Sequence, residues 1–157
     1  MFPASQDHKQ IGEGDTGKNT GGIGCIAPVP WVTPEALYDI KMRVVLPTLD
    51  ALTRKGAPFT GILYPGLKMT AQGPKVLEFN ARFGDPEAQV YMRLMKTDIL
   101  DLFEACVYAN LDTAKVEWNP GFAVNIVLCS GGYPDEYQKG FPITGVDAAE
   151  QLPGIVV

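Results

Sequence analysis

Glu78-Phe79-Asn80-Ala81-Arg82-Phe83-Gly84-Asp85-Pro86-Glu87 follows the apolar pair Val76-Leu77 and reads as the end of a β-strand. Strand side chains alternate between faces, so Glu78, Asn80 and Arg82 fall on one side while Leu77, Phe79 and Phe83 point toward a core. A carboxylate, an amide oxygen and a guanidinium in one row suit a magnesium ion and a nucleotide phosphate. The oxygens hold a hard cation that keeps waters and phosphate oxygens as its other ligands. The arginine is a fixed-charge fork for phosphate oxygens. The alternative is an exposed sheet face on which glutamate and arginine form an ion pair.

Before this stretch, Phe59-Thr60-Gly61-Ile62-Leu63-Tyr64 and Gly66-Leu67-Lys68-Met69-Thr70 read as strand, with Pro65 at an edge or bulge. Gln72-Gly73-Pro74 turns the chain and residues 75–80 return, so an antiparallel hairpin delivers the charged row. After Asp85-Pro86 a helix is expected, with Val90, Tyr91 and Leu94 inward. Thr97-Asp98 caps another, whose apolar face carries Ile99, Leu102, Phe103, Cys106 and Val107. Thr33 is the N-cap of an earlier helix with Pro34 at its first position. Pro47 kinks or splits that helix, and Gly56 closes it in the left-handed conformation.

Residues 11–24 contain six glycines and read as a loop whose amide N–H groups are free to wrap phosphate oxygens. The pattern is not a P-loop, because Gly17-Lys18 is followed by Asn19 and no helix. It is not a dinucleotide fingerprint, because Gly22-Ile23-Gly24 leads into the extended Cys25-Ile26-Ala27-Pro28. A flexible connector is the alternative. The polar residues 112–121 mark a boundary, and Phe122-Ala123-Val124-Asn125-Ile126-Val127-Leu128-Cys129 has the pattern of a buried strand. Strands and helices do not alternate as a parallel βαβ series, so the fold class expected is α+β with hairpins.

Composition narrows the function. The net charge of -5 and the pI of about 4.8 argue against a nucleic-acid partner, which needs clustered lysine and arginine. His8 is the one histidine, which rules out a histidine-rich zinc site. Cys25, Cys106 and Cys129 are widely spaced and read as buried thiols of a reducing, cytoplasmic compartment. No apolar run reaches about 18 residues, so no membrane span is expected. The start, Met1-Phe2-Pro3-Ala4-Ser5, lacks the features of a signal peptide. The ends read as cut: the chain opens into a polar motif and closes on the strand-like Gly154-Ile155-Val156-Val157.

Four motifs in order carry a resemblance: Ser5-Gln6-Asp7-His8-Lys9, residues 17–24, residues 59–64 and residues 78–87. Together they resemble phosphoribosylamine–glycine ligase, also called glycinamide ribonucleotide synthetase, an ATP-grasp family of purine synthesis. Gly131-Gly132-Tyr133-Pro134 with Tyr137 and Lys139-Gly140 resembles the start of that family's C-terminal domain. The resemblance implies that residues 1–113 are the C-terminal lobe of an ATP-grasp domain, an antiparallel sheet with packed helices. It implies that residues 114–157 begin a small C-terminal domain. The parent's other lobes, with much of the adenine pocket, are then expected as partners. Two positions depart from the family pattern: Lys18 stands where proline is usual, and Ile23 where methionine is usual.

The family reaction joins glycine to 5-phosphoribosylamine with ATP, through glycyl phosphate, giving glycinamide ribonucleotide, ADP and phosphate. No protein nucleophile is needed, and catalysis is positioning and charge neutralisation. By resemblance, Glu78 and Asn80 hold Mg2+ or Mn2+, and Arg82 meets the transferring phosphoryl group. Asp85 is a catalytic candidate. Asp85 and Glu87 orient an amine or Arg82, or else cap the helix after Pro86. Lys9, Gly21 and Gly22 contact the nucleotide phosphates, with the solvated turn as the alternative for residues 7–9. Two other readings compete: a folded binding module without turnover, and a sister ATP-grasp ligase of the carboxylase type.

Overall fold

The computed structural model describes residues 1–157. They form two compact units, Met1–Val127 and Leu128–Val157. The larger unit holds two antiparallel sheets. In the first, β1 (Gln6–Gly12), β2 (Thr16–Ala27) and β5 (Ala123–Ile126) lie in the order β1-β2-β5. The second is the hairpin of β3 (Tyr64–Thr70) and β4 (Gly73–Asn80). The smaller unit is mostly irregular, with one short helix, α5 (Val146–Glu150), and a Tyr133–Tyr137 edge contact at 5.5 Å. No helix is long and apolar enough to cross a membrane.

The helices begin where local chemistry starts them. Thr33 Oγ1 accepts from Ala36 N, opening α1 (Pro34–Ile40). A π-helical turn, Lys41–Val45, separates α1 from α2 (Leu46–Arg54). It lies just before Pro47, whose ring would press on a carbonyl one α-turn back; the wider turn relieves that clash. Gly56, at φ +74°, then ends the helix. After the cis Asp85–Pro86 bond comes α3 (Glu87–Leu94), and Asp98 caps α4 (Ile99–Val107) through Leu100 N.

The core sits between β2 and α3. Cys25, Ala27, Val90, Tyr91 and Leu94 are buried, with Phe2, Phe83, Trp118 and Ala123 packed around them. Phe2 stands edge-on to Trp118 at 4.9 Å and to Tyr91 at 5.4 Å, so the N-terminal residues are part of the core. Each aliphatic residue buried here contributes roughly 1.5–3 kcal/mol through removal from water. Val90, Tyr91 and Leu94 face inward on α3 as predicted, and Glu87 is buried with them.

Several expectations are corrected. Residues 11–24 are not a loop: they run from the end of β1 through a turn into β2, because glycine accepts extended as well as left-handed backbone. Residues 59–63 precede β3 instead of belonging to it. Leu77 and Phe79 are exposed, not core, since nothing covers their side of a two-stranded hairpin. In α4, Leu102 and Ala105 are buried, whereas Phe103 and Val107 are exposed. The strand of residues 122–129 is a short edge strand, paired on one side, with Val124 and Ile126 facing solvent. It pairs with β2, within the larger unit. Cys129 is exposed and only Cys25 is buried. Residues 154–157 form no strand.

Candidate functional site

The ladder between β1 and β2 is interrupted at one place. His8 pairs with Gly24 and Gln10 with Asn19, so Thr20, Gly21, Gly22 and Ile23 stand opposite Lys9 alone. Such bulges re-aim side chains and free backbone groups. Three hydrogen bonds brace it: Thr20 Oγ1 to Lys9 O (2.8 Å), Gly22 N to Thr20 Oγ1 (3.1 Å) and Lys9 Nζ to Gly21 O (3.0 Å). Lys9 is also ion-paired with Asp7, its neighbour on the same strand face. Lys9, Gly21 and Gly22, nominated from sequence for phosphates, are therefore brought together, and they engage one another and Asp7.

The turn before α3 presses against this bulge. A Cβ at Gly22 would lie 2.5 Å from Pro86 Cδ, 3.0 Å from Asp85 O and 3.0 Å from Asp7 Oδ1, and Gly22 has φ +138°. Only glycine fits there. Asp85 is exposed and accepts from Gln89 Nε2 at 2.7 Å. Glu87, two residues on, is 5% exposed. It does not cap α3 from the surface; its carboxylate folds back against Gly84, where any Cβ would collide with it.

A buried polar cluster results. Ser5 Oγ lies 3.0 Å from Tyr91 OH and 3.4 Å from Tyr64 OH, and Tyr91 OH donates to Pro3 O at 2.9 Å. Burial raises the pKa of Asp7; the nearby Glu87 carboxylate adds to the rise, and Lys9 opposes it. Burial pushes the Cys25 thiol up to about 11 and the Tyr91 phenol up to about 12, and raises Tyr64 further. Asp7 Oδ1 and Glu87 Oε2 are buried without a hydrogen-bond partner. The sequence placed Tyr91 on the inward face of α3 and Asp7 in a motif with Lys9, but gave Asp7, Tyr64 and Tyr91 no role of their own at a site. The signal available was the two-residue spacing of Asp7 and Lys9 on one strand face.

Glu78 and Asn80 lie side by side at the end of β4, with Asn80 Nδ2 donating to Glu78 Oε1 at 3.2 Å. Turning the amide over would place its oxygen beside the carboxylate. Glu78 is exposed and Asn80 partly so, and a carboxylate beside an amide oxygen fits a magnesium- or manganese-class cation. Strand alternation stops at Asn80, however. Arg82 lies in the bend that follows and donates to Phe83 O at 3.1 Å, so it does not continue the row. The β3–β4 end that bears Asn80 also bears Tyr64, which reaches Ser5 of the buried cluster. An open hollow of about 290 Å³ along α4, lined by Thr97, Asp101, Glu104, Tyr108 and Lys115 among others, includes none of these residues.

Residues 1–88 match the family model described as phosphoribosylglycinamide synthetase, ATP-grasp (A) domain. The chain belongs to that family. The phosphoribosylamine–glycine ligase of Rhodopirellula baltica is 43% identical over 157 residues, covering 99% of this chain and 36% of the relative. That of Xanthomonas campestris is 48% identical over 145 residues, 92% of this chain and 34% of the relative. A crystal structure of phosphoribosylamine–glycine ligase from Thermotoga maritima superposes with a TM-score of 0.70 at 36% identity, covering 88% of this chain and 34% of that one. The chain thus spans about a third of the length of these phosphoribosylglycinamide synthetase relatives. Its mixed helices and antiparallel sheets are those of a piece of an ATP-grasp domain of this family.

Proposed function

We propose that this chain supplies the metal- and phosphate-handling part of an ATP-dependent ligase that joins glycine to 5-phosphoribosylamine in purine synthesis. Family membership carries the reaction class, and the adjacency of Glu78 and Asn80 carries the site. Residues 1–113 are the C-terminal lobe of the ATP-grasp domain, and residues 114–157 begin the domain that follows. The adenine-binding remainder is contributed by the rest of the ligase, in a cytoplasmic setting.

Glu78 and Asn80 hold the Mg2+ or Mn2+, which neutralises phosphate charge when bound. Lys9 exchanges Gly21 O for a phosphate oxygen, and the Gly21–Gly22 stretch turns its backbone toward the same group. Arg82, two residues past the strand, swings from Phe83 O to the transferring phosphoryl. Asp85 stays exposed beside the bulge, placed to orient the attacking amine. Glycine's carboxylate takes the γ-phosphoryl of ATP, releasing ADP and forming glycyl phosphate; the ribosylamine nitrogen then attacks the glycyl carbonyl carbon, displaces phosphate and gives up a proton. No side-chain nucleophile takes part.

The test replaces the aligned segment of the Rhodopirellula baltica ligase with this chain and measures phosphate release that depends on glycine, 5-phosphoribosylamine and magnesium. Turnover is expected. A folded chimera without glycine-dependent release removes the proposal.

A further inference from the structure

The Glu78 carboxylate lies across a residue that has no side chain. Tyr64, Gly66, Lys68 and Thr70 alternate along β3, so they share one face of the hairpin with their register partners Asn80, Glu78, Lys75 and Gly73. A bulge in β4 makes this match. Leu67 pairs with Val76 and Gly66 with Glu78, which leaves Leu77 as the extra residue. Glu78 thereby comes to stand opposite the one glycine of β3. A Cβ built on Gly66 would lie 3.1 Å from Glu78 Cγ and 3.6 Å from Glu78 Oε1. The same Oε1 accepts from Asn80 Nδ2 at 3.2 Å.

We propose that Gly66 is a positioning residue of the metal site: its bare backbone lets the Glu78 side chain lie across the hairpin with Oε1 beside Asn80. This rests on the ligase reading above. Gly66 is not needed for backbone freedom, because its φ lies outside the left-handed region and any residue could adopt it. Glycine inside a strand weakens the strand, and it often marks a place where another group comes close. The group that comes close here is Glu78. A methyl at 3.1 Å from Cγ is nearer than the roughly 3.5–4.0 Å at which carbon atoms rest. A branched side chain covers still more of the strip the carboxylate occupies. Glu78 is exposed, so its flexible end gives way and the hairpin does not. Filling the position should therefore displace the ligand while sparing the fold.

The experiment compares the 157-residue chain with its Gly66→Ala and Gly66→Val variants. Mn2+ affinity is read from the electron paramagnetic resonance of free Mn2+, and stability from the urea midpoint. Gly66→Val should weaken Mn2+ binding by about tenfold or more, as for other groups that orient metal ligands, and Gly66→Ala by less. The urea midpoint should hold or rise, since valine suits a strand better than glycine. In the ligase chimera, Gly66→Val should raise the KM for magnesium by a similar factor and keep kcat at saturating magnesium. Unchanged Mn2+ affinity in Gly66→Val overturns the proposal. So does an affinity that falls only in step with the urea midpoint, or a kcat that falls while the KM for magnesium stays. The ligase reading is judged apart. A parent chimera without turnover removes the reaction, and the Mn2+ series on the chain still decides the part played by Gly66. A parent chain that binds no Mn2+ removes the metal site and this role with it.

Discussion

The two antiparallel sheets carry their acids in opposite surroundings. In the β1-β2-β5 sheet, Asp7 and the adjoining Glu87 are sealed among aromatic rings, hydroxyls and glycine backbone. In the β3–β4 hairpin, Glu78 stands in the open beside Asn80, on a strand whose Leu77 and Phe79 are exposed as well. The first arrangement holds polar groups out of water inside the packing between β1, β2 and α3. The second suits a hydrated cation that must exchange waters for phosphate oxygens. Perturbing the two regions should therefore separate stability from chemistry.

The largest separation is expected at the hairpin. Glu78→Gln with Asn80→Ala in the Rhodopirellula chimera should lower magnesium-dependent phosphate release by on the order of a thousandfold, as for loss of groups that stabilise transferring charge. The melting temperature should stay where it was, because surface changes of this kind move stability by less than about 0.5 kcal/mol. Turnover within a few-fold of the parent would show that the open acid is not a metal ligand.

The next effect belongs to the crowded bulge. Gly22→Ala combines a disallowed backbone angle with a Cβ pressed on Pro86 and Asp7, and should cost roughly 4 kcal/mol. Gly61 has φ +123° but open space around it, so Gly61→Ala should cost only about half as much, roughly 2 kcal/mol. Urea unfolding of the two variants measures the difference, and equal losses would mean that the contact between bulge and cis-proline turn carries no weight. A third pair contrasts core with rim. Leu94→Ala, at 5% exposure, should lose about 3 kcal/mol, whereas Leu77→Ala, at 71%, should lose less than about 0.5.

Local chemistry was legible where a residue type has one physical use. Thr33-Pro34, Asp98 and Gly56 marked helix ends because caps and left-handed glycine act within a turn of chain. The 3.6-residue spacing of Val90, Tyr91 and Leu94 gave the buried face of α3. The glycines of residues 11–24 misled, because glycine is as compatible with a bulged strand as with a loop, and the partner strand that decides lies outside the segment. Alternation predicted the Glu78–Asn80 pair but ran one step too far at Arg82, since nothing local says where a strand ends. The burial of Asp7 and Glu87 was not legible at all. It depends on β1 meeting the start of α3, some eighty residues away along the chain.

The smallest effect tests the burial of the first region by pH. Cys25 faces the same acids, and burial, with Glu87 and Asp7 adding, raises its thiol from 9.0 in the unfolded chain to about 11 in the fold. A raised acid pKa means that the folded state keeps a proton the unfolded state releases. The associated stability is fully present below about pH 9 and is lost as pH rises through about 11. The loss should be on the order of 2 kcal/mol across that window. Urea unfolding of the parent between these pH values should show that decline. Tyr91, raised to about 12, and Tyr64 add a further fall toward the top of the range, so the measurement that isolates the thiol is the difference between parent and Cys25→Ala. The variant should start less stable, for want of a packed sulfur, and then lose less stability with rising pH. Parallel curves for parent and variant would mean that the thiol is as hydrated as the hairpin's acids, and the contrast between the two sheets would fail on its buried side.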